Sequence, residues 1–77
     1  MDTVGSRIRQ ERERLGLTQF ALALMVNPTV KSGMRVSKWE RDLVVPNARD
    51  LAVMMEAGFN IRFVLGGKGL DRLVEKV

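Results

Sequence analysis

The sequence predicts an all-α fold: a compact bundle of five short helices, with a possible short sixth helix at the C-terminus. Apolar residues recur every three or four positions along most of the 77 residues, which is the spacing of amphipathic helices. Residues typical of helix starts and ends separate these stretches, and no stretch alternates apolar and polar residues as a half-buried strand does. The tight connections favour helices packed against one another.

The first predicted helix covers residues 4 to 15 and has one apolar side. Asp2 or Thr3 can cap its start, because both side chains accept hydrogen bonds from amides of the first turn. Gly16 can end it, since glycine readily adopts the left-handed conformation that follows many helices.

The second predicted helix lies in GLTQFALALMV, where Thr18 precedes an unbroken apolar run. Thr18 is a good N-cap, and Asn27-Pro28 stops the helix because the residue before a proline avoids helical angles. Apolar residues occupy nearly every face. We therefore expect this helix to be central to the core and Phe20 to be buried in it.

The third predicted helix occupies the second half of TVKSGMRVSKWERD. Its apolar residues can supply an inward face: Met34, Val36, Trp39 and Leu43. We expect Trp39 to be a core residue rather than a platform for stacked bases, because the sequence lacks the interleaved aromatic residues of single-strand binders.

The fourth predicted helix, NARDLAVMMEA, opens at Asn47 and ends at Gly58. Asn47 followed three positions later by Asp50 imitates a capping box. The apolar residues of this helix form one predicted buried stripe: Leu51, Met54 and Met55.

The C-terminal part contains a fifth predicted helix and a tail. Asn60 can cap the short helix IRFVL, which Gly66-Gly67 closes. The tail, residues 68–77, is either a sixth helix or a frayed end, and its apolar residues have helical spacing: Leu70, Leu73, Val74 and Val77. We therefore divide the chain into a domain of residues 1–67 and a tail of residues 68–77.

Composition limits the possible functions. The chain has no cysteine and no histidine, so thiol and imidazole catalysis and the usual zinc sites are absent. The remaining carboxylates show no arrangement that suggests an active site, so we expect no enzyme, cofactor or metal. No segment resembles a membrane span or a signal peptide, and we expect a cytoplasmic protein. A net charge of +4 and an isoelectric point near 10.4 suit a polyanionic partner.

Three motifs carry a resemblance to a known family. They are Gly16-Leu17-Thr18-Gln19 at the second helix, Trp39-Glu40-Arg41 at the end of the third, and Pro46 six residues after Glu40. With the closing FNIRFVLGG, the sequence resembles the phage repressor and Cro-like (XRE-type) helix-turn-helix family of bacterial and phage transcriptional regulators. The resemblance covers residues 5 to 67 and implies a DNA-binding domain whose third helix enters the major groove.

The resemblance also explains why Glu40 lies in the most basic part of the chain, RVSKWERDLVVP. It implies that Glu40 faces inward and forms an ion pair with Arg12 of the first helix. The carboxylate would then be kept away from DNA phosphates. The alternative is that Glu40 is a solvated surface charge.

The predicted DNA-binding face follows once Val36 and Trp39 point inward. Its positions are then Gly33, Met34, Arg35, Ser37, Lys38 and Arg41. The resemblance implies that Ser32 contacts a phosphate and that the next three residues meet base edges. Arg35 is the best candidate for direct readout, because a guanidinium can bond guanine O6 and N7 together.

Additional phosphate contacts are expected beside this face. Gln19 matches a family position that contacts phosphate, at a helix N-terminus that favours an anion. Residues 30 to 49 include five basic and two acidic residues, a net charge of +3. Without the family motifs, this stretch would be read as an ordinary solvated face.

The connection before the third helix departs from the family pattern. Between Val26 and Trp39 the chain has about three residues more than the family usually has. The third helix can begin near Ser32 or at Thr29. We favour the start near Ser32, because Gly33 inside a helix costs roughly 1 kcal/mol relative to alanine.

The predicted function is that of a transcriptional repressor that binds double-stranded DNA as a homodimer, with the tail supplying a dimer contact. The alternative is a protein-interaction module, such as an antitoxin or anti-repressor, on the same scaffold. Salt dependence of DNA binding separates the two.

Overall fold

Five helices account for most of residues 2–66, the part of the chain that the structure, a computed structural model, describes. The first four are α1 (Val4–Arg14), α2 (Gln19–Val26), α3 (Met34–Glu40) and α4 (Ala48–Glu56), and α5 covers residues 61–66. No strand occurs among these residues. The prediction of an all-α fold is confirmed, whereas the predicted tail of residues 68–77 lies outside the described residues.

Four helices begin at the N-caps that the sequence predicts. The cap side chains of Thr3, Thr18, Asn47 and Asn60 each accept a hydrogen bond from an amide three residues later. The cap of α1 is therefore Thr3 rather than Asp2. Each such cap typically stabilises a helix by about 0.5 to 2 kcal/mol.

Three helices end in the same way, at a residue in the left-handed region. These residues are Gly16 (φ 71°), Asp42 (φ 59°) and Gly58 (φ 107°). In each case the amide of this residue and the next amide donate to carbonyls in the last turn of the helix, the arrangement of a Schellman motif. Asp42 is the one non-glycine residue with positive φ in residues 2–66.

Asp42 also joins the end of α3 to the start of α1. Its carboxylate accepts hydrogen bonds from the amide of Gly5 (2.9 Å) and the hydroxyl of Thr3 (2.7 Å). Gly5 is buried against the end of α3, where a β-carbon would lie 2.7 Å from the carbonyl oxygen of Glu40. The start of α1 and the end of α3 are therefore in direct backbone contact at Gly5, with no room for a side chain between them.

The core lies where the five helices meet. Its buried apolar residues are Ile8, Leu22, Ala23, Val26, Val36, Trp39, Met54, Phe59 and Val64. Trp39 is 2% exposed, which confirms its predicted core role. The helix α2 packs against both α3 and α4 and is therefore central, as predicted.

Four apolar residues predicted to be inward are exposed: Phe20, Met34, Leu43 and Met55. The inward predictions were wrong because each helix buries only one side, whereas the exposure of Met34 agrees with its other predicted place, on the outward side of α3. The helix α2 turns Leu22, Ala23 and Val26 to the core, which leaves Phe20 outside. Leu43 follows the left-handed turn at Asp42 and so leaves the direction of α3.

Glu11 attaches α1 to the start of α5. Its buried carboxylate accepts two hydrogen bonds from Arg14, both 2.9 Å, and one of 2.7 Å from the amide of Asn60. The hydrogen bonds from Arg14 hold the pKa of the Glu11 carboxyl below its ordinary value of 4.5, although burial acts in the opposite direction. The ionised carboxylate thus stabilises the folded state.

The pH dependence of stability should reveal this contact. The folded-state pKa of Glu11 is depressed, so its stabilisation is present above the unfolded-state pKa and is lost as pH falls through the folded-state value. We expect the unfolding free energy to fall below about pH 4.5, with a shallower fall in Glu11→Gln. Urea unfolding of both proteins across this range measures the difference. Equal pH dependence would contradict the assignment.

The close approach at Gly5 gives a second prediction. In an exposed helix position, glycine to alanine usually stabilises by about 1 kcal/mol. Here the added methyl group would clash with backbone oxygens of α3, so Gly5→Ala should destabilise the domain by about 1 to 3 kcal/mol. Gln10→Ala, at an exposed position of α1, is the control. A gain in the urea midpoint for Gly5→Ala would show that the two helix ends are further apart.

Candidate nucleic-acid interface

The connection between α2 and α3 comprises residues 27–33 and is locally ordered by side chains. The side chain of Asn27 accepts hydrogen bonds from the amide (3.1 Å) and hydroxyl (2.7 Å) of Thr29. Ser32 accepts one of 3.3 Å from the amide of Met34. Because α3 begins at Met34, the start near Ser32 was the better prediction and the start at Thr29 was wrong.

Gly33 sets the distance between α3 and α2. It precedes α3 without a side-chain cap, and a β-carbon there would lie 2.8 Å from the carbonyl carbon of Gln19 and the amide nitrogen of Phe20. Any larger residue would push the two helices apart. Gly33 was predicted to face base edges. In the structure it is half-buried against the start of α2, a packing role that the sequence analysis missed.

Arg12 and Glu40 form a bidentate ion pair between α1 and α3. The Arg12 Nε lies 2.6 Å from Glu40 Oε2, and Nη2 lies 3.1 Å from Oε1. The two side chains are only 12% and 5% exposed. Glu40 therefore faces inward, as the resemblance implies, and is not a solvated surface charge.

Further hydrogen bonds complete this pair. Arg12 Nη1 donates to the carbonyl oxygen of Leu17 at 2.9 Å, and the hydrogen bonds to Glu40 raise the pKa of Arg12 above its ordinary value. Gln19 Nε2 donates to Glu40 Oε1 at 3.1 Å. Gln19 was expected to contact phosphate. Its observed partner is Glu40, a contact that the sequence analysis did not predict.

The outward face of α3 follows from the helix geometry. An α-helix advances about 100° per residue, and the buried side chains of Val36 and Trp39 mark the inner side. Four residues lie on the opposite side, and we call them the outward face: Met34, Ser37, Lys38 and Arg41. Ser37 is half-buried and the other three are exposed.

Arg35 lies at the edge of this face, towards α4. Its Nη1 is 3.9 Å from Oδ1 of Asp50, the buried residue that completes the capping box of α4. The contact is long, the Arg35 side chain is 45% exposed, and Asp50 keeps its hydrogen bond from the amide of Asn47 without it. Arg35 can therefore leave Asp50 at small cost, although its side chain is not turned to the centre of the outward face.

The electrostatic character of the outward face results from where the carboxylates point. Lys31, Lys38 and Arg41 are exposed, and within residues 2–66 none has a carboxylate at ion-pair distance. Glu40 is bound by Arg12, and Asp42 is turned to the start of α1. The face thus offers cations, one hydroxyl and a methionine.

An open depression of about 610 Å³ lies between the start of α2 and the start of α3. Its lining includes these residues of the two helix starts: Gln19, Phe20, Ser32, Gly33, Met34 and Ser37. Ser32 and Gln19, both predicted to contact phosphate, are therefore close to Met34 of the outward face. The residues predicted to contact DNA, including Gly33, lie on or beside one surface, and Arg12 lines the same depression.

Residues 2–66 contain no group of three or more acidic side chains placed to hold a metal ion. Every helix described for these residues is too short or too polar to cross a lipid bilayer.

Comparisons of the chain with models of protein families, with curated proteins and with solved structures find no match. The resemblance to the phage repressor and Cro-like family therefore stays a prediction from the quoted motifs.

The ion pair gives a direct prediction. Removing one partner of a buried pair leaves an uncompensated charge and typically costs about 3 to 5 kcal/mol. Glu40→Ala should lose this amount or fail to fold, whereas Glu13→Ala, which breaks an exposed pair with Arg9, should lose less than about 0.5 kcal/mol. Urea unfolding measures both. Similar small losses for the two variants would show that Glu40 is solvated.

Proposed function

We propose that this chain is a sequence-specific double-stranded DNA-binding protein of the helix-turn-helix type, and that it acts as a transcriptional repressor. In this proposal α2 and α3 are the two helices of the motif, and α3 enters the major groove. The observation that supports it best is that Glu40 faces inward and is paired with Arg12. The outward face of α3 is therefore left without a free carboxylate.

Electrostatics favours a nucleic acid over other partners. The exposed cations Lys31, Lys38 and Arg41 lie at or next to the outward face without carboxylate partners in residues 2–66. Phosphates neutralised by such side chains release condensed counterions, which supplies most of the non-specific affinity for DNA. A face with inward acids and outward cations is therefore suited to a phosphate backbone.

The geometry of α3 favours the major groove of a duplex. That groove is about 12 Å wide and admits an α-helix. Because Val36 and Trp39 bury the opposite side of α3, the helix can enter the groove without exposing its apolar side. Arg35 becomes available for a guanine if it leaves Asp50, and Gln19 and Ser32 lie beside the face as candidates for phosphate contacts.

A repressor of this type is proposed to bind as a homodimer. A two-fold protein on a two-fold site would place its third helices about one helical turn apart, roughly 34 Å. The tail residues predicted to form the dimer contact lie outside the described residues. A small apolar groove of about 240 Å³ between α4 and α5, next to the exposed Met55, offers surface for a second copy.

A protein-interaction module is the second candidate function. Leu43, Val44 and Val45 follow α3 and are 63%, 49% and 77% exposed, three consecutive apolar residues left to solvent. Such patches often bind protein partners. The same exposure is compatible with a DNA-bound dimer, so DNA binding itself must decide.

Salt dependence of DNA affinity is the deciding test. For the proposed function, the logarithm of the association constant should fall linearly with the logarithm of salt concentration, by about 0.9 for each phosphate neutralised. Lys38→Ala and Arg41→Ala should each make this slope shallower by about 1. Arg9→Ala, which removes a cation paired with Glu13 on α1, is the control and should leave the slope unchanged.

Fluorescence anisotropy with a labelled duplex of about two helical turns provides the measurement. A slope near zero for the wild-type protein would contradict DNA binding and favour the protein-interaction module. Equal, steep slopes for all four proteins would contradict DNA binding through the outward face and indicate another surface.

A further inference from the structure

The centre of the proposed DNA-binding surface is apolar. Met34 is 54% exposed and Phe20 is 44% exposed, and both line the depression between the starts of α2 and α3. They are brought together by Gly33, since a β-carbon at Gly33 would lie 2.8 Å from Phe20 N. Two large apolar side chains thus stay at the surface because the packing of α2 on α3 holds them there.

Four of the hydrogen-bonding side chains around this centre have partners within the protein. Gln19 donates to Glu40, and Ser32 accepts from the amide of Met34. Arg35 leans towards Asp50, and Arg41 Nε lies 3.4 Å from the carbonyl oxygen of Ser37. Ser37 and Lys38 keep a hydroxyl and an ammonium group on the outward face, whereas the large exposed apolar side chains that line the depression are those of Met34 and Phe20.

The apolar group that ordinary DNA presents in the major groove is the C5-methyl group of thymine. We infer that the depression formed by Met34 and Phe20 receives a thymine methyl group, so that Met34 and Phe20 determine specificity for a thymine at one position of each half-site. The inference rests on the proposed function. It adds a base preference that comes from apolar contact rather than from the guanidinium of Arg35.

The same methyl group occurs on 5-methylcytosine, which pairs with guanine. Thymine is the base that carries this methyl group in unmodified DNA, and the inference is therefore made for thymine.

Uracil scanning tests the inference. The starting duplex is the one that the purified protein retains most strongly in a selection from a random duplex DNA library. It is synthesised again with each thymine of one half-site replaced in turn by uracil, which removes the methyl group and keeps the base pair. At one thymine, uracil should weaken binding by about fourfold, the scale expected for one buried methyl group. No loss at any thymine would overturn the inference while leaving the proposed function intact.

Matched variants test whether the loss of affinity on the uracil duplex arises at the depression lined by Met34 and Phe20. In Met34→Ala and in Phe20→Ala the preference for thymine over uracil should fall towards one, whereas Lys38→Ala should weaken binding to both duplexes and keep the fourfold ratio. Circular dichroism checks that the variants fold, and the uracil comparison on the wild-type protein needs no variant. Unchanged ratios in both apolar variants would overturn the assignment.

A third duplex, with a 5-methylcytosine·guanine pair at the sensitive position, separates the two sources of the methyl group. Tighter binding to this duplex than to the thymine duplex would overturn the choice of thymine. A random library from which no sequence is enriched would contradict the proposed sequence-specific function and the inference together.

Discussion

The structure depends most on a single carboxylate, that of Glu40. Arg12 of α1 binds it through two nitrogens, and Gln19 of α2 donates to it as well, so three helices meet at one buried negative charge. Burying an ion pair costs desolvation that its attraction must offset, which makes such a pair weak support for stability in general. Its effect here is orientation: once Glu40 faces inward, the helical repeat turns Lys38 and Arg41 outward.

The remaining constraints act on the backbone and refine the same arrangement. Gly5 allows α1 to approach the end of α3, and Gly33 allows α3 to approach the start of α2. Asp42 combines two tasks, since it ends α3 in the left-handed region and accepts hydrogen bonds from the start of α1. Substitutions at these three positions should therefore alter the direction of α3, although none of the three residues is one of the exposed cations of the outward face.

Local signals made much of the fold predictable, and tertiary contacts explain the rest. Thr3, Thr18, Asn47 and Asn60 were recognisable as caps because capping involves residues three positions apart. The Arg12–Glu40 pair, between residues 28 positions apart, was expected only through the family resemblance. Phe20 was misplaced, and Met34 was assigned to both sides of its helix, because composition does not say which side of an apolar helix is covered. The bonds of Asp42 to α1 and the Gln19–Glu40 contact had no local signal, although aspartate is known to tolerate left-handed turns.

The most direct test of the whole account is selection from a random duplex DNA library by the purified protein at near-physiological salt, followed by sequencing of the retained duplexes. If the inward Glu40 leaves α3 free to read a major groove in each copy of a dimer, an inverted repeat should be enriched, with half-sites about ten base pairs apart. Retention of all sequences alike, or of none, would contradict the account and redirect attention to the exposed apolar residues 43–45 as a binding surface for protein.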